Sequence, residues 1–193
     1  MKFDETPLYY IETNISGIRK TLFDLATWKN GLAFKKIDFS NTGIPIIKIA
    51  ELNNGINENT SYTQSYYGED VFLKMGDLLF AWSGNPQTSI NAFKFRLPNG
   101  WLNQHIFKVT AKSDVNQDYL YYLLKYLKYN FTKIAQNKQT TGLGHVTISD
   151  LKRISIILPN LDIQKKIVSI LKPIDDKIEL NMAVNENLTG ILT

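Results

Sequence analysis

Three short stretches hold most of the side chains able to recognise a ligand. The first is Ser83-Gly84-Asn85-Pro86-Gln87-Thr88-Ser89, the second Asn103-Gln104-His105, and the third runs from Gln136 to His145. Asn and Gln present a donor and an acceptor side by side, which pairs bidentately with adenine, while Lys suits guanine or a phosphate. Glycines, here Gly84, Gly142 and Gly144, let a backbone approach closely. One such loop is an ordinary polar turn; three in one region point to bases and phosphates. The candidate nucleic-acid contacts are Ser83, Asn85, Gln87, Thr88, Asn103, Gln104, His105, Gln136, Lys138, Gln139, Thr140, Thr141 and His145. Lys94 and Arg96, between the first two loops, and Lys133, just before the third, join them.

Catalytic patterns fail on named residues. Holding a flipped base for methyl transfer needs a polar-Pro-Pro-aromatic loop; Asn85-Pro86 begins one and Gln87 breaks it. Gly142-Leu143-Gly144 lacks the third glycine of a dinucleotide loop, and no Gly-Lys-Ser/Thr phosphate loop is present. His105 and His145 have no ligand-spaced neighbours, so neither reads as a zinc ligand or general base. Asp175 and Asp176 precede Lys177 on a helix surface rather than on adjacent strands around a metal. Tyr119, Tyr121, Tyr122 and Tyr126 could stack on bases, yet their helical spacing reads as core and interface. The expectation is a protein without catalytic residues, cofactor or metal.

Charge says where a polyanion would lie. Residues 78–149 contain eight bases (Lys94, Arg96, Lys108, Lys112, Lys125, Lys128, Lys133, Lys138) and two acids (Asp114, Asp118), a balance of +6 within a chain of net +4. Carboxylates near a phosphate repel it, so an acid-poor stretch suits nucleic acid. Uneven scatter of a lysine-rich background is the bland alternative. The 193 residues fit one domain and an appendage. The absence of cysteine rules out disulfides and thiolate chemistry and fits the cytoplasm. Neither a secretory signal nor a membrane-spanning run is visible.

The elements that would position these loops read as mixed α and β, hence an α+β fold. Residues 1–20 form a weakly patterned arm. Strand character begins at Thr21 with Leu22, Phe23 and Leu25, and recurs over 44–49, 78–82, 92–97, 105–110 and 154–158. Asn53-Asn54-Gly55 and Pro98-Asn99-Gly100 read as turns. A helix over 119–127, with Asp118 as cap or first-turn acid, extends toward Ala135. Ile163, Ile167, Ile170, Ile174, Lys177, Asn181, Val184, Leu188 and Ile191 are spaced alternately by four and three, a heptad seam widened by Leu171 and Ile178. Pro173 suggests a kink or restart there. A helix from 163 to 191 would be roughly 42 Å long. So small a domain cannot bury the whole stripe, so the seam calls for a partner helix; a single amphipathic helix lying on its own domain is the alternative. The expected divisions are an arm over 1–20, a recognition domain over 21–159 and a coiled-coil-type spacer helix over 160–193.

The order of motifs resembles the specificity subunits of type I restriction–modification systems. The resemblance starts at Leu22 to Asp24-Leu25 and passes through Gly31, Gly43-Ile44-Pro45-Ile46, Asn53-Asn54-Gly55, Gly76-Asp77-Leu78-Leu79, Asn103-Gln104 and Tyr119-Leu120. Its most specific part is Ile148-Ser149 with Leu151, then Ile156-Ile157-Leu158-Pro159, then Gln164 with Ile167, Leu171 and Ile178. Asn160 stands where a second proline is usual, and Ile163 where a glutamate is. The resemblance implies a target-recognition domain that reads half of a split site on double-stranded DNA, and a spacer helix on which methyltransferase and restriction subunits dock. Members carry two recognition domains, so this chain would pair with a copy of itself or be part of a longer chain. The seam residues Ile163, Ile167, Ile170, Ile174, Ile178, Asn181, Val184 and Leu188 would then form the interface. The rival reading is a coiled-coil adaptor that does not touch DNA.

Overall fold

The computed structural model describes residues 9–10, 16–139 and 142–191, with side chains described over 16–139 and 142–185. At its centre is an antiparallel sheet ordered β3-β11-β7-β9: β3 is Ala26–Asn30, β7 Leu78–Ala81, β9 Asn91–Lys94 and β11 Ile106–Ala111. All four residues of β7 are buried. Leu78 and Phe80 enter one hydrophobic cluster, while Leu79 and Ala81 enter another. Side chains alternate across a strand, so a strand between two cores reads as an unbroken apolar run.

The first core is closed by helices α2 (Gln117–Tyr126), α3 (Lys128–Asn137) and α4 (Ile148–Arg153). The second is closed by a sheet ordered β5-β4-β10-β6, where β4 is Ile44–Ile47, β5 Tyr62–Thr63, β6 Phe72–Lys74 and β10 Asn99–Leu102. The expected turn at 98–100 is therefore the entry to a strand. Asn99, Gly100 and Trp101 pair with Lys74, Leu73 and Phe72. Gly100 belongs there because a Cβ would stand 2.3 Å from Cγ1 of Ile47. The expected strand over 44–49 stops at Ile47, and helix α1 (Ile49–Asn54) begins.

A third sheet runs β1-β13-β2, where β1 is Tyr9–Tyr10, β2 Ile18–Thr21 and β13 Ile154–Leu158. Parts of the weakly patterned first twenty residues are thus strands, which short polar stretches do not announce. A short ladder joins β8 (Ser83–Gly84) to β12 (Gly144–His145).

Helix termini follow their caps. Asn116 Oδ1 accepts from the Tyr119 N–H at 3.0 Å, so Asn116 caps α2 and Asp118 is its first-turn acid. Asn160 Oδ1 accepts from the Ile163 N–H at 3.0 Å, and helix α5 (Leu161–Ile191) starts there. It runs 31 residues as one helix through Pro173, without the expected restart. Its length is about 46 Å.

Gln164 fastens α5 to the domain. It is fully buried; its Oε1 accepts from the Asn116 N–H at 2.7 Å, and its Nε2 donates to the carbonyls of Asp114 at 3.0 Å and Pro159 at 2.8 Å. Ile167 and Val168 then pack against the first core, and two ion pairs follow further along: Lys172 with Asp118 at 3.8 Å, and Arg96 with Glu179.

Candidate nucleic-acid interface

The three loops meet around Trp82. Across the β8–β12 ladder, Ser83 lies opposite His145 and Gly84 opposite Gly144. Flanking it, the Val146 N–H donates to the Trp82 carbonyl at 2.8 Å, and the Trp82 N–H donates to the His105 carbonyl at 3.1 Å. The Trp82 and His105 rings lie 5.7 Å apart, and Trp82 Nε1 donates to Asn30 Oδ1 at 3.0 Å. Segments far apart in the chain thereby become one surface. The ladder is the signal sequence reading missed, because two-residue strands of Ser-Gly and Gly-His carry no periodicity.

Sterics fix this junction. Gly144 is buried, and a Cβ on it would stand 2.2 Å from the Ala135 carbonyl oxygen. Gly84 has φ +126°, a region side chains rarely adopt. Thr132 Oγ1 donates to the Pro86 carbonyl at 3.2 Å, which anchors the first loop on α3.

Each expected DNA contact has a distinct setting. Asn85 Oδ1 accepts from the N–H groups of Gln87 at 2.9 Å and Thr88 at 3.3 Å, so Asn85 shapes its own loop. Gln87 and Thr88 point outward, as do His105, Gln136, Gln139 and His145. Gln104 Nε2 and His105 Nε2 are 3.0 Å apart. Asn103 is half-buried, and its N–H donates to the Ile47 carbonyl at 3.1 Å. Lys138 is ion-paired with Asp150 at 2.6 Å, and the Asp150 carboxylate is buried. Thr140 and Thr141 lie outside the described residues.

Folding redistributes the +6 of residues 78–149. Lys94 meets Asp118 at 2.7 Å, Lys108 meets Asp77 at 2.9 Å, Arg96 meets Glu179, and Lys138 meets Asp150. Three of these carboxylates, Asp77, Asp150 and Glu179, come from outside the acid-poor stretch. Lys125, Lys128 and Lys133 line a groove on α2 and α3 with Tyr126, Tyr129, Thr132, Gln87 and Gln136. Burial pushes the Lys125 ammonium down from its usual value, Lys128 adds to the effect and Asp175 opposes it. The four tyrosines expected in core and interface divide: Tyr119 and Tyr121 are buried, Tyr122 is half-buried and Tyr126 is 71% exposed.

The heptad seam is also outward. Ile170, Ile174, Ile178 and Val184 are 66%, 54%, 51% and 46% exposed, while Ile163 and Ile167 are half-buried. Asn181 is exposed, and Leu188 lies in α5 beyond the described side chains. At 100° per residue, the seam lies roughly a third of a turn from the face carrying Gln164, Asp175 and Glu179. Among the described residues no group of His, Asp or Glu is placed to hold a metal ion, and no helix is long and apolar enough to cross a membrane.

Comparisons with known proteins agree with this architecture. The family model described as type I restriction modification DNA specificity domain matches residues 19–189. The type I restriction enzyme EcoBI specificity subunit of Escherichia coli is 28% identical over 205 aligned residues, covering all of this chain and 41% of that protein. The HindI specificity subunit of Haemophilus influenzae is 36% identical over 61 residues, 32% of this chain and 13% of that one. Among solved structures, the system S subunit from M. genitalium superposes with TM-score 0.61 at 20% identity, covering 90% of this chain and 43% of that one. The HsdS subunit from Thermoanaerobacter tengcongensis gives TM-score 0.63 at 16% identity, covering 91% and 42%. The chain thus spans less than half the length of each of these relatives.

Proposed function

The chain belongs to the type I restriction modification DNA specificity domain family, and on that premise we propose that it reads one half of a split site on double-stranded DNA. The observation that carries this reading is the junction at Trp82, where β8 pairs with β12 and the His105 carbonyl receives the Trp82 N–H. A rigid frame with three amide- and hydroxyl-rich loops on it can hold donors and acceptors against base edges. Ser83, Gln87, Thr88, Asn103, Gln104, His105, Gln136, Gln139, Thr140, Thr141 and His145 are the candidates for bases and sugar–phosphate. Asn85 and Lys138 shape the first and third loops, Lys94 ties β9 to α2 through Asp118, and Arg96 sets the domain against α5.

The unit that reads spans residues 21–159, with the strand at 18–21 tying the arm over 1–20 to it, and the spacer covers 160–193. The chain carries no chemistry of its own. It directs methyltransferase and restriction subunits in the cytoplasm, and its exposed seam pairs with a second recognition half, a copy of this chain or the remainder of a longer one. A symmetric pair would read a palindromic split site. An α5 of about 46 Å exceeds one DNA turn of about 34 Å, the scale needed to separate half-sites.

A salt titration tests the reading against a coiled-coil adaptor. Binding to duplex DNA should weaken steeply as salt rises, because each neutralised phosphate releases counterions. An adaptor that does not touch DNA would give no salt-dependent shift of duplex at any concentration.

A further inference from the structure

Asn30 ends β3, exposed, beside the junction at Trp82. The Gly31 N–H next to it donates to the Ile106 carbonyl at 3.1 Å, and the Leu32 carbonyl accepts from the Gln104 N–H at 2.9 Å. A Cβ on Gly31 would stand 2.2 Å from the Asn103 carbonyl oxygen, so the chain passes the second loop at contact distance. The Trp82 Nε1–H donates to Asn30 Oδ1 at 3.0 Å. The indole is itself held: it stacks on Phe107 with centroids 5.6 Å apart, and the His105 ring flanks it at 5.7 Å.

An indole N–H can only donate, so it decides which end of the Asn30 amide faces Trp82. The oxygen is turned to the indole, and the Nδ2 amino group is the end left for a ligand. Among the described residues nothing accepts from that Nδ2. Accepting on its oxygen also makes the amide a stronger donor. An asparagine that pairs bidentately with adenine needs both ends against the base, its oxygen on N6 and its nitrogen on N7. Here the oxygen is covered by an indole, whose bulk keeps a base edge off that side. Asn30 therefore differs from the amides on the three loops: it offers donors alone.

We propose that Asn30 is a further specificity-determining residue, whose Nδ2 donates in the major groove to a keto oxygen, O6 of guanine or O4 of thymine. Adenine and cytosine present an amino group there, so donor would face donor. Trp82 is a positioning residue that acts through Asn30 by holding its amide in one orientation. A contact carried on a strand and braced by a stacked ring keeps its geometry better than one on a loop. The proposal rests on the DNA-reading function above and adds to it a rule for one position of the half-site.

The experiment is selection of bound duplexes from a randomised library by the whole chain, at one fixed KCl concentration because affinity varies with salt. The wild-type chain should enrich guanine or thymine over adenine and cytosine at one position, by roughly five- to hundredfold. Asn30→Asp keeps an oxygen for the Trp82 N–H and turns the outward group from donor to acceptor. It should shift that position to cytosine or adenine and leave the other positions as they were, which also shows that the variant folds. Trp82→Phe keeps a ring in the stack but frees the amide to turn, so adenine should become acceptable at the same position. Wild-type preferences retained by both variants would overturn the role of Asn30 alone. A uniform loss of affinity in Asn30→Asp, with every preference unchanged, would make Asn30 a phosphate contact and likewise overturn it. A wild-type chain that enriches no sequence would overturn the DNA reading itself, and Asn30 with it.

Discussion

The Lys138 ammonium lies 2.6 Å from each carboxylate oxygen of Asp150. Asp150 also accepts from the Thr147 N–H and the Thr147 hydroxyl, both at 2.7 Å. The contact ties the end of α3, where the third loop leaves, to the cap of α4, where order resumes. Lys138→Ala should cost about 2–3 kcal/mol in urea unfolding, because it strips a buried carboxylate of its countercharge. The loop should then lose protection from hydrogen exchange before the core does.

The same carboxylate gives a pH dependence. Burial alone would raise its pKa, but Lys138 and the Thr147 bonds outweigh burial and hold it below the usual carboxylate range. A lowered folded value stabilises fully above the unfolded value of about 4 and is lost as pH falls through the folded value. Unfolding free energy of the wild-type chain should therefore drop on acidification below about pH 4. Asp150→Asn should flatten that part of the profile; an unchanged profile would place the acid sensitivity elsewhere.

Gly144→Ala tests the junction of the loops. The added methyl meets the Ala135 carbonyl oxygen at 2.2 Å, so either β12 leaves β8 or α3 shifts. The expected cost is about 1–3 kcal/mol, the range for overpacking. Duplex binding should fall with it, while Gly55→Ala, where a Cβ meets nothing within 4 Å, should leave the surface intact and cost only its positive-φ strain.

Sequence reading reached the strands with a strong apolar signal, such as 78–82 and 154–158, and the helix from 119 onward. Its misses share a cause: the deciding interaction is distant in the chain. Asn99-Gly100 looks like a turn until Ile47 is set against Gly100. Ser83-Gly84 and Gly144-His145 become strands only by meeting each other. The loops were legible as composition, whereas their convergence on Trp82 was not. The acid-poor stretch misled in part, because Asp77, Asp150 and Glu179 fold back onto it.

Gln164 is the joint between reader and spacer. Gln164→Leu keeps the volume but leaves the Asn116 N–H and the Asp114 and Pro159 carbonyls without their partner. Each unpaired buried group costs about 1–3 kcal/mol. Thermal unfolding should fall by several degrees, and hydrogen exchange should rise first at 112–116 and the start of α5.

The exposed seam separates stability from association. Ile170→Ser, Ile174→Ser and Ile178→Ser together remove apolar groups that are at least half exposed, so the melting temperature at low concentration should change little. Sedimentation at high micromolar concentration should show the wild-type chain paired and the variant monomeric. A monomeric wild-type chain would count against a homodimeric seam and favour a partner half supplied by a longer chain.

Whether the three loops read sequence is tested most directly by mapping methylated bases in cells that carry this chain with its modification subunits. The wild-type chain should mark one discrete split motif. Gln87→Ala and Gln139→Ala should each relax a position within a half-motif, since a good bidentate contact gives about 1–3 kcal/mol of discrimination. A motif unchanged by both substitutions, with methylation at the wild-type level, would contradict the assignment of sequence reading to this surface.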